Sequence, residues 1–145
     1  MFSAASIQNL TPIGEEFERA TTMQLQAVAA LLSRPVPPQL EEFLLNYGGA
    51  AFNGEAQVGL PTGAKKGVFT LFSVSKVLQD LADHEDYVSN RWAPVADDLF
   101  NNRYVVDLST EGVLFLEYGG GQCHSTMVAR NFETFMARIQ VTQDE

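Results

Sequence analysis

The sequence predicts an α+β fold, in which an antiparallel β-sheet packs with an N-terminal helical hairpin, a middle helix and a C-terminal helix. Two observations support this prediction. Apolar residues recur three and four positions apart in the first third, the middle and the end of the chain, a spacing typical of amphipathic helices. Between the last two helices, residues 103–108 and 113–118 are β-rich runs joined by Ser-Thr-Glu-Gly, which is typical of a hairpin in a β-meander. Helices and strands that alternate irregularly favour an antiparallel sheet over a parallel one.

Length and charge limit the classes of protein to consider. The chain has 145 residues, 46% of them hydrophobic and 19% charged, which is ordinary for one globular domain over 1–145 with a core of its own. The formal net charge of −9 opposes binding to nucleic acid or to an anionic membrane surface, because both attract basic proteins. Composition therefore indicates an acidic globular protein but does not indicate what the protein does.

The N-terminal segment and the cysteine content bear on location. Residues 1–20 have neither a basic start nor a long apolar run, so we expect no export signal, and whether they form an ordered arm or a short helix stays open. No stretch approaches the length of apolar sequence that a membrane span needs. The single cysteine, Cys123, cannot form an internal disulfide, which fits a reducing compartment. The expected location is the cytoplasm.

Two helices are predicted in the first third. The first begins after Thr21 or Thr22 as N-cap and ends near Ser33, ahead of a Pro-rich link. The second carries a buried stripe from Leu40 to Tyr47, and we expect Gly48-Gly49 to provide a left-handed C-terminal cap. These two helices form the predicted hairpin.

The rest of the chain divides into weaker and stronger signals. Residues 50–72 predict short irregular strands, a loop centred on 64–66 and a strand over 67–72. A helix begins behind Ser73 and is expected to fray into the polar residues 84–86. After the hairpin, a short strand over 126–129 and an amphipathic helix over 132–139 complete the prediction.

No catalytic or cofactor signature stands out. Cys123 and His124, with His84 far away in sequence, lack the spacing of a zinc site, so we favour an unreactive cysteine. Residues 119–121 are three glycines without the Lys-Ser/Thr of a phosphate-binding loop. The pair Asp97 and Asp98 could perform acid–base chemistry, but we favour one carboxylate organising a turn and the other in solvent. We therefore expect no enzyme activity, metal or cofactor.

Acidic residues are concentrated in one part of the sequence. They are Asp80, Asp83, Glu85 and Asp86, with Asp97 and Asp98 a short distance along the chain. A charge run is usually a solvated face, and that interpretation stays open beside a second one. An acidic surface speeds association with a basic protein, so the run is also a candidate recognition surface.

Several motifs, taken in order, resemble the SUKH superfamily. They are the helix ending at residue 32, the link 36–37 (VP), the helix and turn 40–49 (LEEFLLNYGG), 92–98 (WAPVADD), 104–108 (YVVDL) and 128–135 (VARNFETF). The resemblance extends from about residue 22 to 139. This chain departs from the superfamily pattern at Asn46, one place early before the glycines, and at residues 99–102, where the superfamily has a Gly-rich turn.

The resemblance implies an α+β fold and a binding function. SUKH proteins include bacterial immunity proteins, which neutralise toxin domains, often nucleases, by direct binding, and a fungal regulator of cell-wall synthesis. We therefore expect a non-enzymatic immunity protein with a cognate, basic toxin as partner, and an intracellular regulatory or scaffold protein is the alternative. The candidate contact residues are Asp80, Asp83, Glu85, Asp86, Asp97 and Asp98 for charge, and Tyr87, Trp92 and Phe100 as aromatic anchors. Trp92 could equally belong to the core.

Overall fold

The structure is a computed structural model that describes Phe2 and residues 4–142. Its helices are α1 (Ala4–Ile7), α2 (Thr22–Leu32), α3 (Pro38–Asn46), α4 (Val74–Asp83), α5 (Glu85–Asn90) and α6 (Phe132–Arg138). Its strands are β1 (Leu10–Pro12), β2 (Ala50–Phe52), β3 (Glu55–Gly59), β4 (Lys65–Gly67), β5 (Thr70–Leu71), β6 (Trp92–Asp97), β7 (Arg103–Asp107), β8 (Val113–Gly119), β9 (Gln122–Ala129) and β10 (Gln140–Thr142).

The strands form two antiparallel sheets. The larger has seven strands in the order β1-β2-β5-β6-β7-β8-β9, and the smaller has three in the order β10-β3-β4. Strands β6 to β9 follow one another in sequence and in space as a meander, with the 103–107 and 113–119 hairpin at its centre. The predicted α+β class with an antiparallel sheet is confirmed.

Neighbouring residues of β7 show that both faces of the large sheet are covered. Arg103 hydrogen-bonds to Asp80 of α4 on one face. Tyr104 packs against Phe135 of α6, with ring centroids 5.2 Å apart, and donates a hydrogen bond to the Gly67 carbonyl of the small sheet. Successive side chains of a strand point to opposite faces. The large sheet is therefore a middle layer, with α4 on one side and α6 and the small sheet on the other.

The first helical hairpin matches the prediction in its helices and differs in its cap. Helix α2 begins with a capping box, in which Thr21 and Gln24 bond to each other's backbone. Helix α3 ends on Tyr47, whose φ is negative, so the predicted left-handed cap is correct only for Gly49, which has a φ of 75°, and wrong for Gly48. Gly48 is required for a different reason. A Cβ there would lie 2.6 Å from the Glu18 carbonyl oxygen, because the N-terminal segment crosses close to this turn.

Residues 50–72 contain more strand than predicted, and it is arranged differently. The expected loop at 64–66 overlaps β4, where Lys65 pairs with Gly59 and Lys66 with Val58. The expected continuous strand over 67–72 divides between β4 in the small sheet and β5 in the large one. Local sequence could not show this, because the crossing from one sheet to the other depends on pairing with distant strands.

Several other boundaries also differ. Helix α4 has the predicted N-cap, Ser73, but the residues expected to fray form the separate helix α5. Residues 92–97 form a central strand of the large sheet, and β9 begins four residues before the predicted strand. Within residues 2–20, α1 and β1 replace the undecided arm, and β1 pairs with β2. No helix in the described part of the chain has the length and hydropathy of a membrane-spanning segment.

Candidate functional site

A cleft of about 680 Å³ lies between the small sheet and the turn formed by residues 98–102. Three large apolar side chains at this cleft are exposed to solvent: Phe69 at 52%, Leu99 at 73% and Phe100 at 83%. Lys66 of β4 and Glu117 of β8, which also line the cleft, form an ion pair with Nζ and Oε2 3.1 Å apart. Exposed apolar residues are unremarkable one at a time, but three around one cleft indicate a contact surface.

The 98–102 turn is built around the carboxylate of Asp98. Its Oδ1 accepts hydrogen bonds from the backbone amides of Phe100, at 2.9 Å, and Asn102, at 2.8 Å. Its Oδ2 accepts from the Asn102 side-chain amide at 2.9 Å. Asn101 adopts the left-handed region with φ of 64°, which asparagine tolerates better than most residues. Leu99 and Phe100 are thus displayed by a turn whose shape is set by internal hydrogen bonds.

A buried ion pair is connected to the same turn through Arg103. Arg103 Nε donates to Asp80 Oδ2 at 2.7 Å, and both side chains are less than 10% exposed. Lys76 Nζ lies 3.3 Å from the other oxygen of Asp80. Arg103 Nη1 also donates to the side-chain oxygen of Asn101 at 2.8 Å. Burial lowers the pKa of Arg103, but the hydrogen bond and charge of Asp80 outweigh it and leave the pKa raised.

Tyr118 connects the turn to helix α5. Its backbone amide donates to Asn102 Oδ1 at 2.9 Å, and its hydroxyl bonds to the hydroxyl of Tyr87. Asp86, at the start of α5, lies close enough to the cross-strand neighbour Cys123 to influence its thiol. Asp86 therefore lies on the face of the sheet that carries the Tyr118 side chain, whereas Glu117, which lines the cleft, points to the other face.

The predicted acidic group divides into buried and exposed members. Asp80 is 2% exposed and ion-paired, so its predicted place on a solvated face is wrong. It lies on the core side of the amphipathic helix α4, where Arg103 compensates its charge. Asp83, Glu85 and Asp86 are exposed, and we call these three the acidic triplet. Their contact with a partner stays a prediction.

Asp97 and Asp98 are both used inside the protein. The expectation that one carboxylate organises a turn holds for Asp98, but its predicted place in an exposed group is wrong because it is buried. Asp97 is half-buried rather than solvated, and its Oδ1 accepts hydrogen bonds from the amide and hydroxyl of Thr70 at 3.0 and 2.6 Å. Burial raises the pKa of Asp97, although the hydrogen bonds from Thr70 act in the opposite direction.

The three predicted aromatic anchors also differ in exposure. Tyr87 is fully buried, so its predicted role as a surface anchor is wrong. Its ring stacks on His84 with centroids 4.3 Å apart, and burial and the bond to Tyr118 raise the pKa of its hydroxyl. Trp92 is half-buried against the core and lies 6.4 Å from Tyr87, measured between ring centroids. Phe100 is the one of the three that is free to contact a partner.

Sequence reasoning missed the other residues of the cleft. Phe69 lies between two strands that belong to different sheets, and Lys66 reaches Glu117 across 51 residues of chain. No local pattern indicates such a pairing. Leu99 did carry a signal, since two consecutive large apolar residues follow Asp97-Asp98 in the segment where this chain departs from the Gly-rich turn of the superfamily.

Cys123 and His124 do not face each other. They are consecutive in β9, opposite Tyr118 and Glu117, so their side chains point to opposite faces of the sheet. Burial, and then the negative charge of Asp86, raises the pKa of Cys123, whereas a nucleophilic cysteine needs a lowered one. Among the described residues, no group of His, Cys, Asp and Glu side chains has the arrangement of a metal site.

Comparison with known proteins supports the resemblance seen in the sequence. Residues 19–138 match the SMI1 / KNR4 family (SUKH-1), and this range includes the turn, the buried ion pair and helix α5. No curated protein is similar to the chain at a significant level. Because the match covers more than half of the sequence, the chain belongs to the SMI1 / KNR4 family (SUKH-1).

Proposed function

We propose that this protein is a non-enzymatic immunity protein that acts in the cytoplasm and neutralises a cognate bacterial toxin by binding it directly. The observation that carries the proposal is the pair Leu99 and Phe100, which are 73% and 83% exposed on a turn held by Asp98. The chain belongs to the SMI1 / KNR4 family (SUKH-1), and immunity proteins occur in the SUKH superfamily, so family membership supports the proposal.

The turn has the properties of a binding hot spot. A few aromatic and apolar anchors generally provide most of the affinity of an interface. Ordering a mobile loop on binding costs free energy, whereas the hydrogen bonds of Asp98 and Arg103 already fix this turn in the free protein. Phe100 can therefore enter a pocket of the partner with little loss of conformational entropy.

The charge of the protein favours a basic partner. The acidic triplet Asp83, Glu85 and Asp86 is exposed, and Tyr118 links this end of α5 to the turn. The whole chain has a net charge of −9. Proteins that bind nucleic acid carry basic surfaces, so a toxin domain with nuclease activity is the class of partner that this surface fits best.

We expect a toxin domain to be encoded beside this gene, and the proposal is tested with that domain. We expect co-expression of the wild-type protein to restore growth and the purified proteins to form a complex. Phe100→Ala should raise the dissociation constant at least about tenfold, as expected for a hot spot. Met23→Ala is the matched control, because Met23 is also exposed, at 79%, but lies on α2. Equal affinities of the two variants would remove the turn from the interface, and undiminished toxicity with the wild-type protein would reject the function.

A separate experiment tests whether the acidic triplet speeds association with the toxin. Reversing two charges of the triplet, Asp83→Lys with Asp86→Lys, should lower the association rate and weaken its dependence on salt. Glu15→Lys with Glu16→Lys is the control, since both residues are exposed in the N-terminal segment. An association rate that falls equally in both variants would show an effect of net charge alone.

The regulatory or scaffold function stays the alternative, since family membership accommodates both. It predicts that the protein leaves the neighbouring toxin active and forms a stable complex with a host protein, again through Phe100. Failure of Phe100→Ala to alter either complex would count against the 98–102 turn in both functions.

A further inference from the structure

The edge strands of the two sheets are not equally protected. An exposed strand edge presents unpaired backbone groups, and natural proteins protect it with short strands, proline or lysine. At one edge of the large sheet, β1 has three residues and ends in Pro12. In the small sheet, β4 has three residues, two of which are Lys65 and Lys66, and β10 also has three.

Strand β9, at the other edge of the large sheet, lacks these protections. It has eight residues, Gln122–Ala129, and none of them is Asp, Glu, Lys, Arg or Pro. Among the described residues, its strand pairing is with β8 alone. Four consecutive side chains, those of residues 122–125, are exposed along it, Thr126 is half-buried, and Met127 is again exposed, at 51%.

The backbone groups at one end of this edge are already engaged, and those at the other end are open to pairing. A bulge interrupts the register opposite Val113 and Leu114, and Arg138 of α6 donates to the carbonyl of Val128 at 2.8 Å. The open portion is therefore residues 122–127, which is about 20 Å of extended strand. This is as long as a typical complete strand, and it is available to pair with another chain.

The side chains of this edge favour a second copy as the chain that pairs with it. Two copies that each carry −9 repel each other, so they can associate only through a surface with few acidic groups. Residues 122–127 include no Asp, Glu, Lys or Arg, so two copies paired along this edge bring no like charges together within the strand, although Asp86 of α5 acts on Cys123 from beside it. Antiparallel pairing of identical strands is two-fold symmetric and self-complementary, so it needs no further matching of charges.

We propose that residues 122–127 of β9 pair with the same residues of a second copy in antiparallel orientation, which joins the two large sheets into one. The dimer uses a surface different from the 98–102 turn and does not depend on the toxin-binding function. Because salt screens the repulsion between the two acidic copies, salt strengthens the dimer, whereas it weakens association with a basic partner.

The first test is sedimentation equilibrium of the full chain from micromolar to millimolar concentration. We expect the average mass to rise towards twice that of the monomer, and to rise further in 0.5 M NaCl than at low salt. Ser125→Lys with Met127→Lys should keep the protein monomeric, because lysines on an edge strand oppose its pairing with another chain. The control variant, Ser89→Lys with Met23→Lys, adds the same charges on α5 and α2 and should dimerise like the wild type.

A second measurement locates the interface. Cys123 is the single cysteine and is exposed, so one spin label reports the distance between copies. Pairing through β9 places the two Cys123 backbones within about 20 Å of each other. A monomer at all concentrations, a dimer that survives in the β9 variant with unchanged thermal unfolding, or a clearly longer distance would each overturn the proposal. Toxin binding by the β9 variant should equal that of the control variant, which adds the same charges, and this separates the two interfaces.

Discussion

Asp80 of α4 accepts a 2.7 Å hydrogen bond from Arg103 of β7, and the two side chains are 2% and 8% exposed. This ion pair joins a helix to the central sheet beneath the 98–102 turn. Removing one partner of a buried pair leaves the other charge uncompensated, so Asp80→Ala should lower the free energy of unfolding by about 3–5 kcal/mol. Urea denaturation followed by circular dichroism measures this change.

The control for that variant is a second aspartate of the same helix. Asp83 is exposed, and Asp83→Ala should change stability by no more than about 0.5 kcal/mol. Similar losses in the two variants would mean that the Asp80–Arg103 pair contributes no more than helix propensity does.

Asp98 is expected to determine the rigidity of the turn. Asp98→Ala leaves the amides of Phe100 and Asn102 without their acceptor, which should cost about 1–3 kcal/mol of stability. Asp98→Asn should lose less, because its carbonyl oxygen can still accept both backbone hydrogen bonds. Hydrogen exchange of the two amides should quicken in the alanine variant, and unchanged exchange would contradict the role assigned to this carboxylate.

The raised pKa of Asp97 predicts a pH dependence of stability. The folded protein binds the proton on Asp97 more tightly than the unfolded chain, where the pKa is about 3.9. As the pH rises through this pKa and the higher folded one, Asp97 therefore makes the wild type less stable. Asp97→Asn has no such titration and retains an oxygen for Thr70.

The difference in stability between Asp97→Asn and the wild type should therefore grow in favour of the variant from pH 3 to pH 7. Thermal unfolding at a series of pH values at constant ionic strength measures it. A difference that is constant with pH, or that moves towards the wild type as the pH rises, would contradict the raised pKa.

Gly48 is expected to be required for close packing. A Cβ at this position would lie 2.6 Å from the Glu18 carbonyl oxygen, so Gly48→Ala should destabilise the protein by about 1–3 kcal/mol. Gly59→Ala is the matched control in β3, where no atom lies within 4 Å of the added carbon. That variant should be stabilised by about 0.4–1 kcal/mol, because alanine restricts the unfolded chain. Chemical denaturation of both variants compares the two positions.

Local periodicity was sufficient for the elements that carry their own signal. Helix α2 with Thr21, helix α4 with Ser73 and the hairpin of β7 and β8 all follow from the spacing of apolar residues and from caps or turn residues a few positions away. It was insufficient for β6, whose residues 93–96 are all buried and therefore show no alternation.

Among the candidate site residues, too, some properties could be predicted from local sequence and others could not. Composition indicated an acidic protein, and the run from Asp80 to Asp86 was visible, but helical phase places Asp80 against Arg103 and leaves Asp83 in solvent. Tyr87 can be buried because its hydroxyl group bonds to that of Tyr118. Tyr118 is 31 residues away, so the sequence near Tyr87 does not show this partner.

Residues that are close along the chain were enough to predict the fold class, the main helices, the central hairpin and the SUKH resemblance. The exposure of each charge, the shape of the cleft beside Phe100 and the open sheet edge became visible in the folded protein alone. Those properties depend on contacts between segments far apart in sequence, such as Lys66 with Glu117 and Asp80 with Arg103, and no local pattern encodes them.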